Sequence, residues 1–319
     1  MLAITHPAPG VLELATRPDP TIGDRQILVA VRAAGLNRAD LLQRAGKYPA
    51  PPGWPVDIPG LEYAGDVQAM GSAVTRWHIG DRVMGLVGGG AHAELVAVDE
   101  REAMPIPPGM RFADAAAIPE AFLTAWDAMV LRGRTVAGDR LLMHAIGSGV
   151  GTAVAQLGRA LQLSVIGTSR TAEKLERCRV LGMMHGVLTT SPDWPARVGD
   201  PVQVIIDTLG AQALEHNIGL LSPRGRLVVL GTMTGGRAPG IDLSAVLRNR
   251  LEIIGTAMRV RSLDERIDLV ARFVRDVLPM FGDGRVTPIV DRVVPMREIA
   301  DAHRALESNA TFGKVIVEW

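Results

Sequence analysis

The chain has 319 residues, 47% of them apolar, which is enough for a sizeable core and, as a prior, for two domains. Lys plus Arg and Asp plus Glu number 34 each, so the formal net charge is zero and no bulk basic field points to nucleic acid. The single cysteine, Cys178, excludes an internal disulfide and a multi-cysteine zinc site, and it suits a reducing, cytoplasmic setting.

In chain order, the opening MLAITHPAPG lacks the charged-then-apolar pattern of a signal peptide, and no apolar run is long enough to cross a bilayer, so no membrane partner is expected. The first 120 or so residues are rich in Gly, Pro and short β-type runs. QILVAVRAAGL (Gln26–Leu36), RVMGLV (Arg82–Val87) and AELVAV (Ala93–Val98) read as strands. YPAPPGWPVDIPG (Tyr48–Gly60) carries five prolines, so it is predicted as an ordered, exposed loop. FADAAAIPEAFLTAWDAMVL is helical with a break at Pro119. From Asp139 strands alternate with helices: DRLLMHAI, then VGTAVAQLGRAL, LSVIGT, AEKLERCRVLG, VQVIID (Val202–Asp207), GRLVVLG (Gly225–Gly231) and LEIIGT (Leu251–Thr256). Apolar strands of this kind predict a parallel sheet covered on both faces. After Ser262 come an amphipathic helix to about Met280, a strand near Val290–Val294, a helix (Arg297–Glu307) and the strand KVIVEW. This tail is small for an independent domain and is expected to return to the N-terminal part.

The turn Gly147-Ser148-Gly149-Val150-Gly151 joins a strand to a helix. Glycines there permit a sharp turn and let a pyrophosphate approach backbone amides at the positive end of a helix. The spacing is GxGxG rather than GxGxxG, and the same letters also suit a plain strand–helix turn. An acid at the end of the next strand would bind a ribose 2′-hydroxyl, but Ser169 and Arg170 stand there, with Lys174 one turn on. Cations and a hydroxyl suit a 2′-phosphate, which favours NADP over NAD. Cys178 lies among apolar neighbours inside a helix and reads as buried rather than as a redox thiol.

Several stretches then share one pattern: AAGLNRADLLQRAGKYPAPPG, PGLEYAGDV, GDRVMGLVGGGAHAEL, IPEAFLTAW, SGVGTAVAQL and FGKVIV. Together they resemble the zinc-independent NADPH:quinone oxidoreductase family of the medium-chain dehydrogenase/reductase superfamily, over nearly the whole chain. Its tumour-suppressor-induced branch resembles the chain more than the lens zeta-crystallin branch does. The resemblance implies an α/β chain with a GroES-like β-rich substrate domain (1–120 and 258–319), a Rossmann doubly wound parallel sheet binding NADP (121–257), and a cleft between them. It implies hydride transfer from NADPH to a quinone, and a homodimer joined near Leu251–Gly255. Zinc-dependent relatives carry Cys and His where this chain has Asn37 and Leu61, so no catalytic metal is expected. His78, His92 and His144 are scattered and read as surface or core residues.

The catalytic candidates are Asn37, Tyr48 and Ser148. Asn37 could hydrogen-bond the nicotinamide ribose or the substrate, or else cap the RADLLQR helix. Tyr48 could orient or protonate the oxygen that gains charge, or else pack under the proline loop. The resemblance places Ser148 near the pyrophosphate and active site, and Thr124 at the nicotinamide carboxamide. It places Gly231, Thr232, Ala257 and Met258 beside the cofactor, and makes Phe312, Gly313 and Lys314 the C-terminal contact. A tyrosine that often helps bind the 2′-phosphate is replaced by Thr189, and a frequent aromatic of the GGGAHAEL segment by Ala91 or His92. Two further readings share these residues: reduction of the double bond of an enone or enal, and a nucleotide-binding protein with a structural or regulatory role.

Overall fold

The computed structural model describes residues 1–238 and 240–319, which form two compact units. The first comprises residues 1–123, 259–284 and 288–319, and the second residues 124–258 with 285–287.

The first unit opens with strands β1 (Leu2–Thr5), β2 (Glu13–Thr16) and β3 (Gln26–Gly35), then helix α1 (Arg38–Arg44). Strands β4 (Glu62–Met70), β5 (Arg82–Leu86), β6 (Leu95–Asp99) and β7 (Ala103–Pro105) follow, then helices α2 (Phe112–Ala115) and α3 (Pro119–Trp126). Along β3, Ile27, Val29 and Val31 point inward by the period-2 rule, and then Ala33, Ala34 and Gly35 are buried in succession. Small residues suit that segment, because β4 and the last strand of the chain pair with it from opposite edges.

The second unit begins within α3, whose last turns widen into a π-turn at Asp127–Arg132. There Gly133 N–H bonds the Ala128 carbonyl, five residues back. Then come β8 (Arg140–Met143), α4 (Gly149–Ala160), β9 (Ser164–Ser169), α5 (Ala172–Arg179), β10 (His185–Leu188), β11 (Val202–Asp207), α6 (Leu214–Leu220), β12 (Leu221–Val229), α7 (Leu243–Asn249) and β13 (Glu252–Gly255). All six strands are parallel, in the order β10-β9-β8-β11-β12-β13. In chain order this is the 3-2-1-4-5-6 arrangement of a dinucleotide-binding sheet, with its switch point between β8 and β11.

The chain ends in the first unit with α8 (Leu263–Asp276), α9 (Pro279–Gly282), β14 (Val290–Pro295), α10 (Ile299–Glu307) and β15 (Lys314–Glu318). The tail does rejoin the N-terminal strands: the seven-stranded sheet runs β14-β15-β3-β4-β5-β7, with β6 also on β3. Helix α8 starts at a capping box, Ser262 with Glu265, and buries Leu269, Val270 and Phe273. It stops at Asp276 instead of reaching Met280, because Pro279 opens a separate turn. The helical stretch read for Phe112–Leu131 does break before Pro119, into α2 and α3, and its last turn widens into the π-turn, which the reading did not include. Strand β12 begins at Leu221, four residues earlier than expected, with its register against β11 shifted between Val202 and Val204.

Candidate active site

In the second unit the glycine turn leaves β8 and enters α4. Ser148 is the N-cap, and its Oγ accepts the Gly151 N–H at 3.1 Å. The amides of Gly149 and Val150, which have no acceptor within the helix, remain as donors for an anion at the positive end of α4. A Cβ at Gly151 would collide with the Ile146 carbonyl, so only glycine lets the turn close this tightly. At Gly147 a Cβ would lie 2.8 Å from Lys174 Cδ, so the Lys174 stem rests on the turn itself. Beneath the turn, buried His144 bonds Thr168 Oγ1 at 2.9 Å and Asn217 Oδ1 at 2.8 Å. The amide oxygen only accepts, so Nε2 carries the proton and the Thr168 hydroxyl donates to Nδ1. Burial holds this imidazole below its usual pKa. His144 is thus a structural tie between β8, β9 and α6.

The ends of β9 and β10 bring together the residues read as a 2′-phosphate site. Ser169 Oγ accepts the Thr171 N–H at 3.1 Å, and Thr189 donates its N–H to the Ser169 carbonyl at 2.9 Å. Arg170 is exposed. At the ends of β11 and β12, Asp207 accepts the N–H groups of Leu209 and Gly210, and Gly231 and Thr232 pack on the Thr208–Gly210 turn. Two hydroxyls in this unit, Thr124 Oγ1 and Thr208 Oγ1, are buried without a partner among the described residues. Buried polar groups are ordinarily satisfied. A glycine cradle, free first-turn amides and orphaned hydroxyls fit a dinucleotide. Ala257 and Met258 follow β13, exposed and half-buried respectively. Cys178 is buried, and burial pushes its thiol up to about 12, which leaves it inert.

The first unit holds a buried charge cluster. Lys314 Nζ donates to the Leu36 carbonyl at 2.7 Å, to Asn37 Oδ1 at 2.7 Å and to Glu62 Oε1 at 2.5 Å. All three ammonium protons are used. Asn37 Nδ2 donates to Glu62 Oε1 at 2.9 Å and to the Gly35 carbonyl at 3.3 Å, while Glu62 Oε2 accepts the Glu120 N–H. Asn37 is the N-cap of α1, and its backbone N–H is taken by the Asp40 carboxylate at 2.7 Å. Both of its amide protons are committed, so it offers a ligand only the remaining acceptor capacity of Oδ1. The carboxylate of Asp40 accepts the N–H groups of Asn37 and Gly60, and burial raises its pKa to about 7. Phe312 is buried with its N–H on Asp291, and Gly313 takes φ +85° to turn the chain into Lys314.

Tyr48 is half-buried at the start of the proline loop. Arg259 stacks its guanidinium 4.6 Å from the ring centroid and donates to the Tyr48 carbonyl at 3.0 Å. Burial raises the phenol pKa, and Arg259 opposes that rise. Arg259, Glu62 and Asp40 were not singled out from the sequence. Glu62 and Asp40 stand within apolar runs, a signal for a buried charge; Arg259 has no such signature. His92 is fully buried and His78 exposed.

Among the described residues no cluster of three or more His, Cys, Asp or Glu side chains is arranged to hold a metal ion. The alcohol dehydrogenase GroES-like domain profile matches residues 23–108, and the zinc-binding dehydrogenase profile matches residues 149–273. The synaptic vesicle membrane protein VAT-1 homolog of Rattus norvegicus is 32% identical over 328 residues, covering 96% of this chain and 80% of that protein. The quinone oxidoreductase of Pseudomonas aeruginosa is 30% identical over 315 residues, covering 97% and 96%. The Escherichia coli quinone oxidoreductase solved with NADPH matches with a TM-score of 0.89 at 25% identity, covering 100% of both chains. A GroES-like unit and a dinucleotide-binding sheet in one chain define an oxidoreductase of the medium-chain dehydrogenase/reductase superfamily. Within it the chain belongs to the zinc-independent quinone oxidoreductase family.

Replacing Lys314 by Met strands the Glu62 carboxylate in the interior and is expected to destabilise the protein by about 3–5 kcal/mol in chemical denaturation. The double variant Lys314→Met/Glu62→Gln is expected to recover much of that loss. A single variant as stable as wild type would contradict the role given to the pair.

Proposed function

We propose that the chain reduces a quinone by hydride transfer from NADPH, with no metal ion taking part. The observation that carries this reading is the Tyr48 phenol stacked on a buried guanidinium, and the resemblance, which puts Asn37 and Leu61 where zinc-dependent relatives carry ligands, supports it. NADP is the cofactor, and its nicotinamide supplies the hydride when bound. The amides of Gly149 and Val150 would hold the pyrophosphate. Ser169, Arg170 and Lys174 would hold the 2′-phosphate, with Thr189 bracing Ser169 through its carbonyl. The Thr124 hydroxyl would bond the carboxamide, which would satisfy its orphaned oxygen. Gly231, Thr232, Ala257 and Met258 follow the strand ends beside the cofactor. Ser148 acts through the turn it caps, and Asn37 through its remaining acceptor. Phe312 and Gly313 bring Lys314 to its place in the cluster. Tyr48 donates a hydrogen bond to the substrate oxygen that gains negative charge.

Loss of NADPH absorbance on adding a small ortho- or para-quinone tests the activity. Turnover of quinone is expected; tight NADPH binding without oxidation by any quinone would overturn it, and turnover confined to enones would move the assignment to double-bond reduction. Arg170→Ala is expected to raise KM for NADPH by about tenfold while changing KM for NADH less than twofold. Equal effects on both would remove the 2′-phosphate from Arg170.

The working unit is proposed as a homodimer. Strand β13 forms an open edge of the six-stranded sheet, with Ile253 exposed. Helix α7 buries none of its residues and exposes Leu243 and Leu247, so this edge presents apolar surface and unpaired strand to a second copy. Sedimentation is expected to give a dimer that Ile253→Lys dissociates; a monomeric wild type would contradict this.

A further inference from the structure

We propose that Arg259 is a positioning residue for the reaction: it fixes Tyr48 and holds positive charge against the ring, which makes the phenol a stronger hydrogen-bond donor than burial alone would leave it. The proposal rests on the reading of Tyr48 as the group facing the reduced oxygen.

Arg259 is 8% exposed, and all three of its guanidinium nitrogens are engaged. Nε donates to the Gly88 carbonyl at 2.8 Å, Nη1 to the Tyr48 carbonyl at 3.0 Å and Nη2 to Gln43 Oε1 at 2.8 Å. These acceptors come from three places: the triple-glycine loop, the proline loop and α1. One planar fork therefore ties both loops and the helix together, while its face lies on the Tyr48 ring. A lysine could not satisfy the same three acceptors in this geometry. None of the three acceptors is a carboxylate, so the positive charge is not neutralised by the groups that hold the fork. The nearby acids Glu120 and Asp40 push the phenol pKa up, together with burial, and Arg259 is the one group that lowers it. A phenol on which positive charge acts donates a stronger hydrogen bond to a developing oxyanion.

The chain has two tyrosines, and Tyr63 is fully buried with its phenol pushed far up by burial. Ultraviolet titration of the full-length folded protein therefore reads Tyr48 alone. Arg259→Gln is expected to raise the Tyr48 midpoint by about one pH unit, and Arg259→Lys to hold it closer to wild type. In quinone turnover Arg259→Gln is expected to lower kcat about tenfold with little change in KM for NADPH. In a Tyr48→Phe background the same substitution is expected to cost less than twofold more, because its effect runs through the phenol. An unmoved Tyr48 midpoint in Arg259→Gln, or an undiminished kcat loss in the Tyr48→Phe background, overturns the proposal. If no quinone or enone is turned over by wild type, the functional reading fails, while the titration still decides whether Arg259 charges the phenol.

Discussion

The contact on which the first unit depends is the ammonium of Lys314 held between Glu62, Asn37 and the Leu36 carbonyl. It joins the beginning of the last strand to the end of β3, the start of β4 and the cap of α1, and Glu62 reaches on to the first amide inside α3. A buried charge pair of this kind is costly to assemble and more costly to break, because each partner left alone is an unsolvated ion. The cluster closes only when the C-terminal tail has returned, so the seven-stranded sheet and the charge cluster depend on each other.

The same cluster shapes the chemistry. The resemblance puts Asn37 where zinc-dependent relatives carry a cysteine, and in this chain its side chain faces a cation belonging to the chain itself. Its amide protons are thereby spent on structure, and in the proposed reaction the polar work falls to Tyr48, held by a second buried cation, Arg259. In the second unit the division is similar. Ser148 and His144 hold the turn and the strands beneath it, whereas the exposed or orphaned groups — Arg170, the Gly149 and Val150 amides, Thr124 and Thr208 — are those left for a ligand.

Much of this was legible in the letters. The alternation of apolar strands with helices from Asp139 gave the parallel sheet, because side-chain period and strand burial are local properties. The glycine turn was legible from its spacing between a strand and a helix, and at Gly151 the backbone carbonyl of Ile146 proves to leave room for no side chain. Cys178 was read as buried from its helical neighbours, and it is. The tail was expected to rejoin the N-terminal strands, and β15 does so on β3. What could not be read are pairings set by tertiary structure. Lys314 and Glu62 lie 252 residues apart, so although the apolar neighbours of Glu62 mark a buried charge, nothing local in the letters pairs the two. Arg259 has no motif, since its three acceptors are two backbone carbonyls and a glutamine. The π-turn at Asp127–Arg132 also escaped, because a helix that widens by one residue keeps its apolar pattern.

The central claim is that positive charge from Arg259 and the chain's own hydrogen bonds stand in for a metal ion. The most direct measurement is the rate of quinone-dependent NADPH oxidation before and after exhaustive removal of metals with a chelator. The account predicts the same rate in both samples. A loss of activity that added zinc restores would contradict it.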